Sequence, residues 1–113
     1  MRLLFAAGIC LAVASCSRPD PVFSSAPQYS GVSENSLSSV VECIADRWER
    51  STRHLHRTRV GATVRLQGRT WFRGVPIGVK ITRGVRQTTV QFFEARSADR
   101  IYVAFIKSCL RHP

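Results

Sequence analysis

Three kinds of side chain here could do chemistry: the cysteines Cys10, Cys16, Cys43 and Cys109, the histidines His54, His56 and His112, and seven carboxylates. His54-Leu55-His56 offers two imidazoles, with His112 as a distant third. A zinc site wants three or four convergent ligands. Arg53, Arg57 and Arg59 around the pair would repel a dication, and the next carboxylate is Glu94. No serine sits in a nucleophile elbow, and no Asp, His and Ser form a triad set. No C-x-x-C motif exists to lower a thiol pKa for redox work. Glu42, Asp46 and Glu49 fall at helical spacings from Arg47, Arg50 and Arg53, so surface ion pairs account for them. The residues name no catalytic group, no metal and no cofactor.

What remains is electrostatic. The 113 residues carry 17 Lys+Arg against 7 Asp+Glu, a formal charge of +10 on 12.7 kDa. Between Arg50 and Phe93 there is no acid and there are ten cations. A one-signed field of this kind concentrates and steers anions, and arginine forks suit phosphate and carboxylate. The expected anion-binding residues are Arg65 and Lys80 on the solvent face of a sheet, beside Thr82, Gln91 and Phe93, with Arg83 and Arg86 on a hairpin. The plain alternative is a basic solvated surface, since Arg outnumbers Lys 15 to 2.

The compartment is written at the start of the chain. Met1-Arg2 is a short positive region, and Leu3 to Ala14 is an apolar stretch too short to span a bilayer as a helix, which needs about 20 residues. It has the form of a signal-peptide core. Val13-Ala14-Ser15-Cys16 resembles a bacterial lipobox, an aliphatic and two small residues before a cysteine. The resemblance implies a diacylglyceryl group on the Cys16 thiol, cleavage before Cys16, and acylation of the new amino terminus. Val13 stands where family members most often carry Leu. Ser17, rather than Asp, after the cysteine points by the same resemblance to the outer membrane, periplasmic side, with the inner membrane as the alternative. The expected partners are then the membrane, through this anchor, and an anionic envelope component or acidic protein patch. Export argues against nucleic acid.

The remaining chain must position the cations. Residues 17 to 35 hold three of the five prolines and five serines without periodicity, which reads as a flexible tether, residues 16–35 following a signal peptide of residues 1–15. Residues 36–113 are the expected globular domain. Ser36 or Asn35 can cap a helix in which Leu37, Val40, Val41, Ile44 and Trp48 share one face. Period two follows: Val60 to Leu66, then Val75 to Ile81, then Thr88 to Glu94, with a hairpin around Gly84. Gln67 to Gly74 reads equally as a turn, a short extra strand or a bulged strand start. A final helix, capped by Ser97, places Ile101, Phe105 and Cys109 on one stripe. The expected fold is α+β: helix, three or four antiparallel strands, helix, with both helices on one sheet face.

With Cys10 removed in the leader and Cys16 lipidated, Cys43 and Cys109 remain as a pair, one in each helix. An oxidising periplasm predicts a disulfide between them. The mature region resembles small envelope lipoproteins of Gram-negative bacteria, a likeness that supplies no activity. By fold-level analogy alone it is similar in size and element types to the small lipoprotein subunit of the outer-membrane β-barrel assembly machine. Two function classes follow. One is a non-enzymatic, lipid-anchored binding or structural module. The other is a small envelope hydrolase, or an inhibitor of an envelope enzyme.

Overall fold

The computed structural model describes residues 21–111; Cys10, Cys16, the expected leader and His112 lie outside the described residues. A 3-10 turn at Pro21–Ser24 leads into β1 (Tyr29–Ser33) and α1 (Leu37–Glu49). Then come β2 (Thr52–Val60), β3 (Thr63–Thr70), β4 (Pro76–Arg83), β5 (Thr88–Glu94) and α2 (Ile101–Arg111). The strands form one antiparallel sheet in the order β1-β5-β4-β3-β2. None of the described helices is long and apolar enough to cross a membrane.

Helix α1 starts where Ser36, in an extended conformation, accepts the Ser39 amide on its side chain. That satisfies one of the amides left without an intrahelical partner. Its buried face is Leu37, Val40, Val41, Ile44, Ala45 and Trp48. The Trp48 ring meets Phe92 and Tyr102 edge-on, at centroid distances of 6.1 and 6.0 Å. Beneath both helices lies one sheet face built from transverse rows, Leu66–Val79–Phe92 and Val64–Ile81–Val90. All six side chains are buried, and both helices pack on this inner face. The Cys43–Cys109 disulfide ties α1 to α2 with a Cα–Cα distance of 5.7 Å.

The sheet has five strands, not three or four. The first extra strand, β2, carries no apolar alternation because it is an edge: His54, His56, Arg57, Thr58, Arg59 and Val60 are all exposed. Charge along an exposed edge also discourages edge-to-edge pairing with another chain. The second, β1, lies in the stretch expected to be a tether, so the sheet takes in residues before 36. Its serines and glycine hide the pattern, yet its pairing with β5 is continuous from Tyr29↔Phe92 to Ser33↔Thr88. Buried Ser33 also donates to the Leu110 carbonyl at 2.7 Å.

Other boundaries move for local reasons. The alternation expected from Val60 is broken by a chain reversal at Gly61, whose φ of 60° suits glycine, and β3 starts at Thr63. Strand β3 then absorbs Gln67 to Thr70, leaving Trp71 to Gly74 as the turn into β4. Helix α2 starts at Ile101 and not after Ser97. The Glu94 carboxylate accepts the Ala98 amide, holding that segment as a loop, and Asp99 Oδ1 accepts the Ile101 amide. Its buried stripe is accordingly Tyr102, Ile106 and Cys109, while Ile101 is exposed.

Candidate functional site

The outer face of the sheet is read off the pairing register. Its middle row runs Thr58–Arg65–Lys80–Gln91–Ser30 across all five strands. One row toward the β3–β4 turn lies His56–Gln67–Gly78–Phe93, and beyond it Arg53–Arg69–Pro76. On the other side is Val60–Thr63–Thr82–Thr89–Val32, in which the Thr63 and Thr82 hydroxyls bond at 2.9 Å. None of the described carboxylates belongs to these rows.

This face is not simply open to solvent. The 3-10 turn folds back over it, and Phe23 stands above Gly78, where a Cβ would come within 2.7 Å of the ring. Phe23 meets Phe93 edge-on at 5.3 Å, and Phe93 is buried beneath it. The two rings hold the cations. Lys80 Nζ sits 5.3 Å from the Phe23 centroid and 5.2 Å from that of Phe93, while Arg65 Cζ lies 5.4 Å from Phe23. Cation–ring attraction fixes both side chains at about 0.5–1 kcal/mol each at exposed sites. Arg65 Nε is buried with no hydrogen-bond partner among the described residues.

The four expected anion-binding residues therefore separate. Arg65 and Lys80 are cross-strand partners in the middle of the outer face. Arg83 pairs with Thr88, two rungs past Ile81, so its strand parity is that of the inner face; it is exposed at the end of β4. Arg86 is exposed in the loop between β4 and β5. Phe23, which organises the central pair, lies in the presumed tether, and only its aromatic character amid prolines and serines could have signalled it.

The remaining chemistry-bearing residues are placed as follows. Glu42 reaches across to β2, where Arg57 donates to it at 2.8 Å. The Arg57 hydrogen bond and charge hold the Glu42 carboxyl below the ordinary carboxylate value. Asp46 pairs with Arg50 one helical turn on at 3.5 Å. His54 and His56 line a cleft of about 230 Å³ with Val22, Arg69 and Pro76. His54 has a φ of 56°, where two residues of β2 bulge opposite Gly68. Gly68 suits the bulge, since a Cβ there would approach the Arg53 carbonyl to 3.2 Å. Among the described residues, no three His, Cys, Asp or Glu side chains gather as metal ligands.

No family model matches the chain, and no curated protein or solved structure matches it either.

Proposed function

We propose that this chain is a lipid-anchored envelope protein, acylated at Cys16, that acts as a non-enzymatic binding module for anionic groups of the envelope. The observation that carries the reading is the Arg65–Lys80 pair. Two cations are held side by side over aromatic rings, on a face that carries no carboxylate among the described residues. Adjacent like charges repel, and a phosphate or carboxylate placed between them would relieve that repulsion. The lipobox-like Val13-Ala14-Ser15-Cys16 supplies the compartment, on the periplasmic side of the outer membrane. A hydrolase reading has less support, because the described histidines and carboxylates do not converge on one cavity.

The test has two arms. Radiolabelled palmitate should enter the wild-type protein and not Cys16→Ser. Binding to lipid A, anionic phospholipid or peptidoglycan fragments should weaken as salt rises, since exposed charges are screened within about 8 Å at physiological ionic strength. Arg65→Gln with Lys80→Gln should abolish it, while Arg83→Glu with Arg86→Glu should reduce it less. Label retained in Cys16→Ser, or no salt-sensitive affinity for any of these anions, would overturn the corresponding half of the proposal.

A further inference from the structure

The β3–β4 turn presents aromatic surface that nothing in the described chain covers. Phe72 is 92% exposed and Trp71 56% exposed, the only aromatic residues among the described exposed large hydrophobics. Their exposure does not come from a loose loop. Thr70 and Val75 pair across the base, with the Thr70 amide donating to the Val75 carbonyl and the Val75 amide to Thr70 Oγ1, both at 3.0 Å. The Gly74 amide returns to the Thr70 carbonyl at 3.1 Å, and Gly74 takes a φ of 62° to close the turn. Tyr102, buried in α2, accepts the Trp71 amide. The backbone is braced so that the two rings project.

The surroundings are cationic. Arg53 and Arg69 form the last outer-face row before the turn, Arg73 lies within it, and Arg69 Nη1 donates to the Gly74 carbonyl at 3.3 Å. On the helix side, Asp99 lines a hollow with Phe72 and Arg73 and is the one acid there. Projecting Trp and Phe rings ringed by arginines match the chemistry of a bilayer interface. Aromatic rings settle at headgroup depth, and guanidinium groups meet anionic lipid.

The chain's entry point agrees. Val22 shares its cleft with Arg69 and Pro76, which flank the turn, so the described chain begins at this end of the sheet. Cys16 lies five residues before Pro21, a reach of about 17 Å at full extension. The other basic loop, with Arg83, Val85 and Arg86, is at the far end of β4. We infer that the Trp71-Phe72 turn, collared by Arg53, Arg69 and Arg73, inserts into the anionic bilayer surface and forms a second membrane contact beside the lipid on Cys16. The inference rests on the Cys16 reading for its orientation and on the turn alone for its chemistry. The acyl chains proposed on Cys16 already suffice to anchor the chain, so the turn's contribution is to fix the orientation of the domain against the bilayer.

The molecule carries its own reporter. Trp48 is fully buried, so a vesicle-dependent change in tryptophan emission belongs to Trp71. The full chain is reconstituted with phosphatidylethanolamine–phosphatidylglycerol vesicles carrying brominated acyl chains. Trp71 emission should shift to the blue, be quenched by bromine and lose its access to acrylamide. Trp71→Phe should remove the quenched component. Phe72→Ser, and Arg69→Glu with Arg73→Glu, should each lose most of the quenching without lowering the melting temperature. Emission that stays acrylamide-accessible and unquenched by bromine overturns insertion and leaves the turn to a protein partner. An equal response in phosphatidylcholine vesicles overturns the part given to the arginines. Flotation separates the two readings: a chain that does not float with vesicles refutes the lipid on Cys16. If excess vesicles at low salt then leave Trp71 emission unchanged, the turn is refuted as well.

Discussion

Reducing the Cys43–Cys109 bond in the otherwise intact chain is the sharpest perturbation of this fold. The cysteines are 66 residues apart, so the closed loop takes in most of the folded unit. In the chain-entropy account, removing a constraint of that length frees the unfolded chain by about 4 kcal/mol. That is a large share of the whole stability of a domain of this size. For a domain of up to about 100 residues, each kcal/mol moves the melting temperature by about 4–8 °C. Reduction should therefore lower it by on the order of 20 °C. Circular dichroism melts of one preparation, with and without reductant, give the difference directly. Reduction leaves both sulfurs in place, so no cavity is added; Cys109→Ala, at a fully buried position, adds one and should cost more than reduction. Melting within about 5 °C of the oxidised form would refute the reasoning. It would mean that the unfolded chain already keeps residues 43 and 109 close, or that strain in the native bond cancels the gain.

Glu42 should titrate below the ordinary carboxylate range and move upward in Arg57→Gln, as read by NMR of its side-chain carboxyl; an unchanged midpoint would show the pair to be idle in solution. Because the folded value is depressed, the contribution to stability is present above the unfolded value and lost as pH falls through the folded one. The pair is exposed, so that contribution is small. At Gly78, an added Cβ would sit 2.7 Å from the Phe23 ring and 3.3 Å from Val22 Cγ1. Gly78→Ala should lift the 3-10 turn and erase the Phe23 ring-current shifts on the Arg65 side chain, which stacks on that ring; shifts that persist would show that the turn does not depend on the glycine.

Where apolar residues obey one period and are covered on one side, the sequence reads directly onto the fold. The α1 stripe from Leu37 to Trp48, the Ser36 cap, the hairpin around Gly84 and the Cys43–Cys109 bond are of this kind. Strand β2 is not, because an edge strand exposed on most of its length has no burial to impose a pattern. The start of α2 is not either: Asp99 and Glu94 compete with Ser97 for the local amides, and which one caps depends on where β5 delivers the chain. Strand β1 shows a third way to be hidden. Its alternation is made of Tyr29, Gly31 and Ser33, which are inward-facing without being uniformly apolar. A Cβ on Gly31 would meet Leu110 at 2.7 Å, so a larger residue, which would have announced a strand, would have to displace the Leu110 and Tyr29 side chains.

The same argument explains the site. Arg65 and Lys80 could be placed on one face because each lies in a clearly alternating strand, and their pairing follows once β3 and β4 are aligned. What makes them a site is Phe23, 42 residues before Arg65, whose position depends on a glycine hole at Gly78 and on the edge of Phe93. No local pattern encodes a ring that finds its place only after the sheet is complete. The prolines around it argue for a tether, yet Pro21 opens the 3-10 turn, and Pro27 lies outside any element just before β1. A rigid turn over a preformed hole is the other thing such residues can do. On the proposed lipidation of Cys16, a turn docked with Val22 beside Arg69 and Pro76 would hold the sheet end bearing Trp71 and Phe72 toward the anchor. The basic pair in the middle of the sheet is steadied by that turn, while the aromatic tip owes its projection to the Thr70–Val75 brace of its own loop.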